Sequence, residues 1–188
     1  MLVIYIYRGE HRDRREELIR EAVELYAKEE KGLSDAFFGD WPIKKARGGK
    51  PYLKGRPFHF SVSHTGSLWG CLISESNVGL DIQKIRDDDF NKLAARFFLD
   101  EEAEFVKNTG AAGFFDIWTR KEACVKYFGR GLLKDIRSFS VVRDGKPAGT
   151  VNNQGAVCHV NSFSLGEDVK CAYCCGAEGD KVWIRELK

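Results

Sequence analysis

The stretch FFDIWTRKEACVKYFGRG, residues 114–131, predicts an amphipathic helix that ends at Gly129 or Gly131. Trp118, Glu122 and Lys126 follow one another at intervals of four residues, so their side chains lie along one stripe of that helix. An exposed Glu–Lys pair at this spacing contributes only about 0.2–0.5 kcal/mol. The neighbouring tryptophan, however, places the pair at an inward edge, where the same two charges suit a binding or catalytic site.

The elements on either side of this helix do not alternate strictly between strand and helix. β-branched and aromatic runs indicate strands, and a period of 3.6 residues indicates helices. Short turns (HTGS and ESN) join three of the strands, which predicts an antiparallel meander. In chain order we expect a strand at 2–7, a helix at 12–32, the meander strands at 58–64, 67–74 and 78–83, helices at 89–98, 100–108 and 114–131, and four strands between 136 and 187.

This order of elements predicts an α+β fold instead of a parallel α/β sheet. We expect two halves, each with a helix packed on a small antiparallel sheet. The charged link at residues 84–89 is the expected join. It gives an N-terminal half at 1–86 and a C-terminal half at 87–188, which carries the WTRKEACVK helix.

The composition is that of an ordinary globular protein, with 43% hydrophobic and 31% charged residues among 188 and a net charge of +2. Positive charge is nevertheless concentrated in two places. Residues 41–57 hold six basic side chains and no acidic one, and a second basic group lies at residues 8–15. Local positive charge in a nearly neutral chain indicates an anionic ligand at one site, and not general adhesion to nucleic acid.

The N-terminal run MLVIYIY is apolar but lacks the basic region of a secretory signal, and no apolar run approaches the roughly 18 residues of a membrane span. We therefore expect a cytoplasmic protein with no membrane partner, whose six cysteines are reduced. Cys171 and Cys174 are three residues apart in a predicted strand and would point to opposite faces. Buried small hydrophobic side chains are therefore expected there instead of a zinc site.

Asp81 and Glu122 are the two acidic residues that stand out for their apolar neighbours. A buried carboxylate needs a partner, because an isolated buried charge is very costly. If strand and helix converge, the two carboxylates form an oxygen-ligand site for Mg²⁺, and Gln83 projects from the same side of the strand as Asp81. A buried salt bridge from either acid to a lysine or arginine explains the same pattern and stays open. Lys126 would then reach a bound phosphate or lie in solvent.

The segment SVSHTGS, residues 61–67, presents Ser63, His64 and Thr65 at the end of a predicted strand. Hydroxyl, imidazole and backbone N–H groups in such a turn suit an anion, although an ordinary turn explains the segment equally well. A serine–histidine nucleophile pair is less supported, since adjacent strand residues diverge and no glycine elbow precedes the serine. The sequence contains neither GxxxxGK[ST] nor GxGxxG, which argues against those two kinds of nucleotide binding.

Several of these stretches together resemble the 4′-phosphopantetheinyl transferases. VGLDIQ (78–83) and IWTRKEACVK (117–126) match the family's paired signature: a strand with a glycine and an aspartate, then a helix with a tryptophan, a Lys-Glu-Ala triplet and a later lysine. GGKPYL (48–53) and FSVSHTG (60–66) match further stretches of the larger, surfactin-synthetase-activating class. ARFFLDEEAEF (95–105) also resembles the family.

The resemblance implies an enzyme that transfers the 4′-phosphopantetheine group of coenzyme A to a serine of an acyl or peptidyl carrier protein. Mg²⁺ is the implied cofactor, and adenosine 3′,5′-bisphosphate is released. The larger class is a monomer of two similar halves with coenzyme A at their junction, so the resemblance implies a pseudo-twofold relation between the two α+β halves. Coenzyme A and a carrier protein are therefore the expected partners, and no nucleic acid is expected.

By resemblance, the site uses residues that are already singled out. Asp81 and Glu122 would bind the metal ion, and Glu122 is also the implied base. Lys126 would lie beside the pyrophosphate. Gln83 is the third implied metal ligand, but this position is often an acid in the family, so an amide here adds no charge and cannot act as a base. The residues implied in coenzyme A binding are Arg47, Lys50, Pro51, Ser63 and His64, with Arg12, Arg14 or Arg15 as further candidates.

A non-catalytic nucleotide or nucleic-acid binding protein is the alternative from another functional class. It would use the basic loop at residues 41–57. This alternative leaves the placement of Asp81 and Glu122 unexplained. A metal-dependent nuclease has less support, because such sites usually hold more clustered histidine and aspartate.

Overall fold

The computed structural model describes residues 1–33, 41–46, 48–55, 57–129, 136–177 and 181–188. Within those residues the chain forms three helices and twelve strands, eight of the strands in two four-stranded sheets. None of the described helices is both long enough and apolar enough to cross a membrane. The elements are β1 (Leu2–Arg8), α1 (Arg15–Lys31), β2 (Ile43–Lys45), β3 (Pro51–Leu53), β4 (His59–Thr65), β5 (Leu68–Ser74), β6 (Val78–Lys84), α2 (Phe90–Phe97), α3 (Asp100–Phe128), β7 (Val142–Arg143), β8 (Lys146–Pro147), β9 (Thr150–Asn153), β10 (Ala156–Ser164), β11 (Val169–Cys175) and β12 (Val182–Glu186).

The first sheet has the strand order β12-β1-β5-β4. β1 is parallel to β12 and antiparallel to β5, and β5 pairs antiparallel with β4 as the sequence predicts. Helix α1 covers this sheet and ends at Gly32, whose left-handed backbone (φ 62°) suits the glycine that the sequence places there. The buried side chains of α1 are Leu18, Ile19, Ala22, Val23, Tyr26 and Ala27.

The second sheet has the strand order β6-β11-β10-β9, and α3 packs on β6, β10 and β11. A break at Gly110 (φ 65°, ψ −147°) divides α3 into two helical parts, which agrees with the two predicted helices in this region. Of the two glycines predicted to mark the end of α3, Gly129 is the one at its end, with φ 69°. The apolar side chains between α3 and the sheet form the larger core around the candidate site.

The prediction that β4, β5 and β6 form one meander is wrong. β6 pairs antiparallel with β11 of the second sheet, and its other edge lies beside β4 without a backbone ladder. Side-chain hydroxyls of β4 take the place of carbonyl groups as acceptors for the backbone N–H groups of β6. We call these three hydroxyls the hydroxyl ladder: Ser61 accepts from Leu80 at 3.0 Å, Ser63 from Ile82 at 3.1 Å and Thr65 from Lys84 at 3.1 Å.

Gly79 brings β6 and α3 into backbone contact. A Cβ atom at this position would lie 1.9 Å from the carbonyl oxygen of Ala123. Because only glycine fits, the strand lies directly on the turn of α3 that carries Glu122. Asp81 follows Gly79 by two residues and lies on the same face of β6, so this contact also sets the distance between Asp81 and α3.

The predicted α+β class is confirmed, with several small antiparallel sheets and helices. The division into halves at 1–86 and 87–188, and their pseudo-twofold relation, stay predictions. Strand pairing crosses the proposed join in both directions, because β6 belongs to the second sheet and β12 to the first.

Candidate active site

Asp81 lies on β6 with only 2% of its surface exposed. Its Oδ1 atom accepts hydrogen bonds from Ser63 Oγ at 2.8 Å and from Lys126 Nζ at 2.8 Å. Its Oδ2 atom accepts from Gln83 Nε2 at 3.2 Å. Three donors therefore hold this buried carboxylate, and the ammonium group balances its charge.

Glu122 approaches Asp81 from α3 and is 8% exposed. Burial raises the pKa of its carboxyl to about 7; the Asp81 carboxylate adds to the rise, and Lys126 opposes it. Within the described part of the chain, no lysine or arginine forms an ion pair with Glu122. Strand and helix thus bring the two predicted acids into electrostatic contact, with one ammonium group for two carboxylates.

Lys126 joins the two sheets at this point. Besides Asp81, its Nζ atom donates to the carbonyl oxygens of Leu80 on β6 at 2.8 Å and Val62 on β4 at 3.3 Å. The salt bridge that the sequence leaves open as an alternative is therefore present, between Lys126 and Asp81. It accounts for one of the two acids, and among the described residues Glu122 forms no ion pair of its own.

Lys50, at the start of β3, is the second lysine turned inward. Its Nζ atom donates to Asn77 Oδ1 at 2.9 Å and to the carbonyl oxygen of Val78 at 2.6 Å. Burial lowers its pKa to about 8, and the charge of Lys126 contributes to the shift. Two lysines whose charges repel each other in a half-buried setting favour an anion between them.

These lysines line a cavity of about 240 Å³, which we call the basic cavity. It lies between the end of α3, the start of β4 and the tip of the β2–β3 hairpin. Its walls combine two ammonium groups with glycine backbone, which suits a phosphate group. Its lining residues include Gly48, Gly49, Lys50, Pro51, Ser61, Glu122 and Lys126.

A second cavity of about 430 Å³ lies on the other side of Glu122, and we call it the aromatic cavity. Its lining combines apolar, largely aromatic side chains with basic and polar ones. Glu122 lines both cavities and so lies where their contents would meet. The lining residues are Thr65, Gln83, Lys84, Ile85, Arg86, Leu93, Phe97, Phe114, Phe115, Trp118 and Glu122.

His64, the next predicted ligand residue, is exposed at the end of β4. Its ring centroid is 5.1 Å from that of His11, which is buried and bonds the carbonyl oxygen of Gly9 through Nδ1 at 3.2 Å. Burial lowers the pKa of His64, and the charges of Arg15, His11, Lys126 and Arg12 lower it further. The start of α1 and the end of β4 therefore form a positive surface near Lys126.

Some predicted ligand residues are not placed as expected. Ser63 donates its hydroxyl hydrogen to Asp81 and accepts from Ile82, so both functions of the hydroxyl are used within the protein. Arg14 bonds Glu17 and Tyr7. Arg47 lies outside the described residues.

Two residues that meet the predicted site are absent from the sequence-based candidates. His11 is visible in the sequence only as one member of a basic group. Asn77 accepts from Lys50 and donates to the carbonyl oxygen of Tyr127, which links the hairpin to the end of α3. A single asparagine in a turn carries no signal that distinguishes it from ordinary turn chemistry.

The sequence profile of the 4′-phosphopantetheinyl transferase superfamily matches residues 77–174. That range contains Asp81, Glu122 and Lys126 together with the elements that hold them. The chain belongs to the 4′-phosphopantetheinyl transferase superfamily. The resemblance found in the sequence motifs is thereby confirmed.

Curated relatives in this superfamily carry the same name. The chain is 32% identical over 133 residues to the 4′-phosphopantetheinyl transferase psf-1 of Bacillus pumilus, covering 67% of this chain and 57% of that protein. It is 32% identical over 139 residues to the 4′-phosphopantetheinyl transferase gsp of Aneurinibacillus migulanus, covering 70% and 57%. With the 4′-phosphopantetheinyl transferase Sfp of Bacillus subtilis (strain 168), identity is 29% over 133 residues, covering 67% and 59%. The chain thus spans less than two thirds of the length of these relatives.

The residues of this superfamily member fit a divalent cation. Mg²⁺ prefers oxygen ligands and is commonly held by one or two carboxylates. Asp81 and Glu122 are both buried, and within the described residues the one ion pair at these two carboxylates joins Lys126 to Asp81, so Glu122 is free to bind a cation. Gln83 donates an amide hydrogen to Asp81 through Nε2, and its amide oxygen is a further possible ligand for the ion.

Proposed function

We propose that this protein transfers the 4′-phosphopantetheine group from coenzyme A to a serine of an acyl or peptidyl carrier protein, with Mg²⁺ as cofactor. The observation that carries the proposal is the position of Glu122, beside Asp81 and at the meeting point of the basic and aromatic cavities. One cavity offers cations to phosphate groups, and the other offers an apolar surface to the second substrate. The names of the relatives support the same reaction.

In this proposal the phosphates of coenzyme A lie at the basic cavity and the positive surface beside it. Lys50 and Lys126 supply charge at the cavity. His64 would supply a donor on the positive surface near Lys126. Ser63 would bind a phosphate only by releasing Asp81, which a cation at Asp81 would favour. The residues assigned to coenzyme A are Arg47, Lys50, Pro51, Ser63 and His64.

Asp81, Glu122 and Gln83 would hold the magnesium ion. When bound, the ion would neutralise the charge of the pyrophosphate and orient it for attack. Lys126 adds a fixed positive charge at the same place, because three acceptors on β4 and β6 hold its ammonium group.

Glu122 is the proposed base. A serine hydroxyl is a weak nucleophile and must lose its proton as it attacks. In the metal-free protein, burial raises the pKa of Glu122 to about 7, and a bound cation would lower it, so that the carboxylate form needed to accept the proton would be present near neutral pH. The serine oxygen forms a bond to the phosphorus nearer pantetheine, the bond from that phosphorus to the bridging oxygen breaks, and adenosine 3′,5′-bisphosphate leaves.

The carrier protein would approach at the aromatic cavity. Its lining includes Arg86 and Lys84, the latter in an exposed ion pair with Asp168, and their charge would attract an acidic carrier surface and make the encounter sensitive to salt. We propose further that the protein acts as a cytoplasmic monomer, so that one chain supplies both cavities. Light scattering during size-exclusion chromatography measures the molar mass in solution and so tests whether the protein is a monomer.

Intact-mass analysis of carrier proteins tests the reaction. Apo carriers of fatty-acid, polyketide and non-ribosomal peptide type are incubated with the protein, coenzyme A and Mg²⁺. At least one carrier is expected to gain the mass of phosphopantetheine, and EDTA is expected to prevent the gain. If no apo carrier of the three types gains mass, the proposed transfer is wrong.

A further inference from the structure

Three cysteine side chains from three different elements meet in the core behind the candidate site. Cys124 lies on α3, Cys158 on β10 and Cys174 on β11, and all three are fully buried. The sulfur of Cys124 is 3.9 Å from that of Cys158 and 3.8 Å from that of Cys174, and all three sulfurs lie within 4.8 Å of one another. We call this group the thiol cluster.

We propose that the thiol cluster binds a divalent thiophilic metal ion, of the zinc or cadmium type, through three thiolates. A zinc–sulfur bond is about 2.3 Å long, which separates two ligating sulfurs by about 3.8 Å in a tetrahedral site and about 4.0 Å in a trigonal one. Both measured separations from Cys124 fall on this range. The sulfurs of Cys158 and Cys174 lie within 4.8 Å of each other, so an ion between the three needs at most a small adjustment of these two side chains.

The chemistry of the ligands selects the class of ion. Thiolates favour zinc and softer ions, whereas Mg²⁺ requires oxygen ligands, so this site is separate from the Asp81–Glu122 pair. A divalent ion leaves one net negative charge among three thiolates, and a monovalent ion leaves two, which an apolar core tolerates less well.

A bound ion would join the helix of the candidate site to its sheet. Cys124 follows Glu122 by two residues on α3, and its two partners lie on the adjacent strands β10 and β11. Binding to the folded chain only would raise its free energy of unfolding by RT ln(1 + [L]/Kd), where [L] is the concentration of the free ion. The proposal does not depend on the transferase reaction.

Refolding with cadmium tests the site, since an enclosed site is loaded most directly as the chain folds. The chain is unfolded and refolded with Cd(II) and a non-thiol reductant, and thiolate-to-cadmium absorption is followed in the ultraviolet. Two matched variants, Cys174→Ala and Cys171→Ala, change fully buried cysteines of the same strand. Cys171 belongs to the apolar cluster on the opposite face of the sheet, as the sequence pattern predicts.

The wild-type chain and Cys171→Ala are expected to saturate at one cadmium ion per chain. Cys174→Ala is expected to lose at least about tenfold in affinity, because one of three ligands is missing. The proposal is overturned if the wild-type chain shows no saturable thiolate absorption, or if the two variants behave alike. If Cys174→Ala does not refold, cadmium NMR of the wild-type chain tests the site instead. A chemical shift typical of three sulfur ligands supports the site, and a shift typical of fewer sulfur ligands contradicts it.

Discussion

At the scale of single residues, Glu122 has the environment that most clearly requires a ligand. Its carboxyl is buried beside a second carboxylate, and the nearby ammonium group of Lys126 bonds Asp81 instead. A buried charge without a partner destabilises a fold, and groups in such surroundings are concentrated at functional sites. A cation or a transferred proton gives Glu122 the partner that the described residues do not supply.

Glu122→Gln is expected to stabilise the metal-free protein above about pH 7 and to change little near about pH 4. The pKa of this carboxyl is 4.5 in an ordinary, solvent-exposed setting such as the unfolded chain, and burial raises it to about 7 in the folded protein. Between these values the unfolded chain binds fewer protons than the folded one, so the free energy of unfolding falls as pH rises. The variant avoids that loss, worth up to about 3 kcal/mol. Urea denaturation with EDTA across this pH range measures it.

Glu167→Gln is the control, because Glu167 is exposed in a turn, and it should not change the pH dependence. A Glu122→Gln protein that is less stable than wild type at about pH 8 would contradict the assigned surroundings of this carboxyl.

Lys126→Ala is expected to lower kcat at saturating coenzyme A by about tenfold or more, with a smaller rise in KM. The reason is that the ammonium group bonds Asp81 and the carbonyl oxygens around it, so its charge acts at the reacting centre. Steady-state kinetics measure the effects on kcat and on KM separately. Lys107→Ala, which removes an exposed ion pair from the same helix, should leave both constants unchanged. A raised KM with an unchanged kcat would assign Lys126 to binding alone.

At this scale the sequence predicts that two acids and a lysine come together, and they do, while their roles in metal binding and catalysis stay predictions. Asp81 interrupts an apolar strand, and Glu122 and Lys126 share a helix stripe, so the pattern alone makes them unusual. It cannot predict that His11 meets His64, or that Asn77 holds Lys50, because these contacts join loops that are distant in the chain.

At the scale of elements, the site depends on how closely β6 lies to α3 and β4. On one side Gly79 permits backbone contact with α3, and on the other the hydroxyl ladder replaces a regular backbone ladder with β4. Both contacts position Asp81 without taking part in its chemistry.

Gly79→Ala is expected to destabilise the protein by about 2 kcal/mol or more. Its Cβ atom would lie 1.9 Å from the backbone oxygen of Ala123, and a helix backbone cannot shift as a flexible side chain can. Urea denaturation measures the loss. Gly149→Ala is the matched control, since its Cβ atom would meet nothing within 4 Å, and it should stay within about 0.5 kcal/mol of wild type. Equal losses in the two variants would show that β6 and α3 are not in contact.

Ser61→Ala is expected to destabilise the protein by about 1–3 kcal/mol, because it leaves the buried N–H group of Leu80 without an acceptor. Thr65→Val removes the exposed end of the same ladder, where water can replace the lost acceptor for Lys84, so its loss should be clearly smaller. Denaturation midpoints of the two variants are compared directly. A larger loss for Thr65→Val would contradict the ladder as described.

The hydroxyl ladder also explains why the sequence predicts the strands but not their neighbours. Residues 58–83 contain three strands at nearly the predicted positions, and the turns between them suggest sequential pairing. The alternating hydroxyls of β4 satisfy one edge of β6 through side chains, and the other edge of β6 pairs with β11 of the second sheet. A pattern of short turns contains no information about such a substitution.

At the scale of the whole molecule, the candidate site lies where the two sheets meet. β4 belongs to the first sheet and β6 to the second, and Lys126 of α3 bonds both strands. The order of elements predicts the α+β class, and the family resemblance implies a site between two parts of the chain. It cannot predict that β12 returns to the first sheet, or that three cysteines from separate elements meet, because both depend on long-range pairing.

The most direct test of the account compares phosphopantetheine transfer by the wild-type and Glu122→Gln proteins. Both are incubated with coenzyme A, Mg²⁺ and an apo carrier protein that the wild type modifies, and the carrier is followed by intact mass. The folded Glu122→Gln protein is expected to add no phosphopantetheine in the time that the wild type needs to complete the reaction. Transfer by Glu122→Gln at the wild-type rate would contradict the central role of the paired carboxylates.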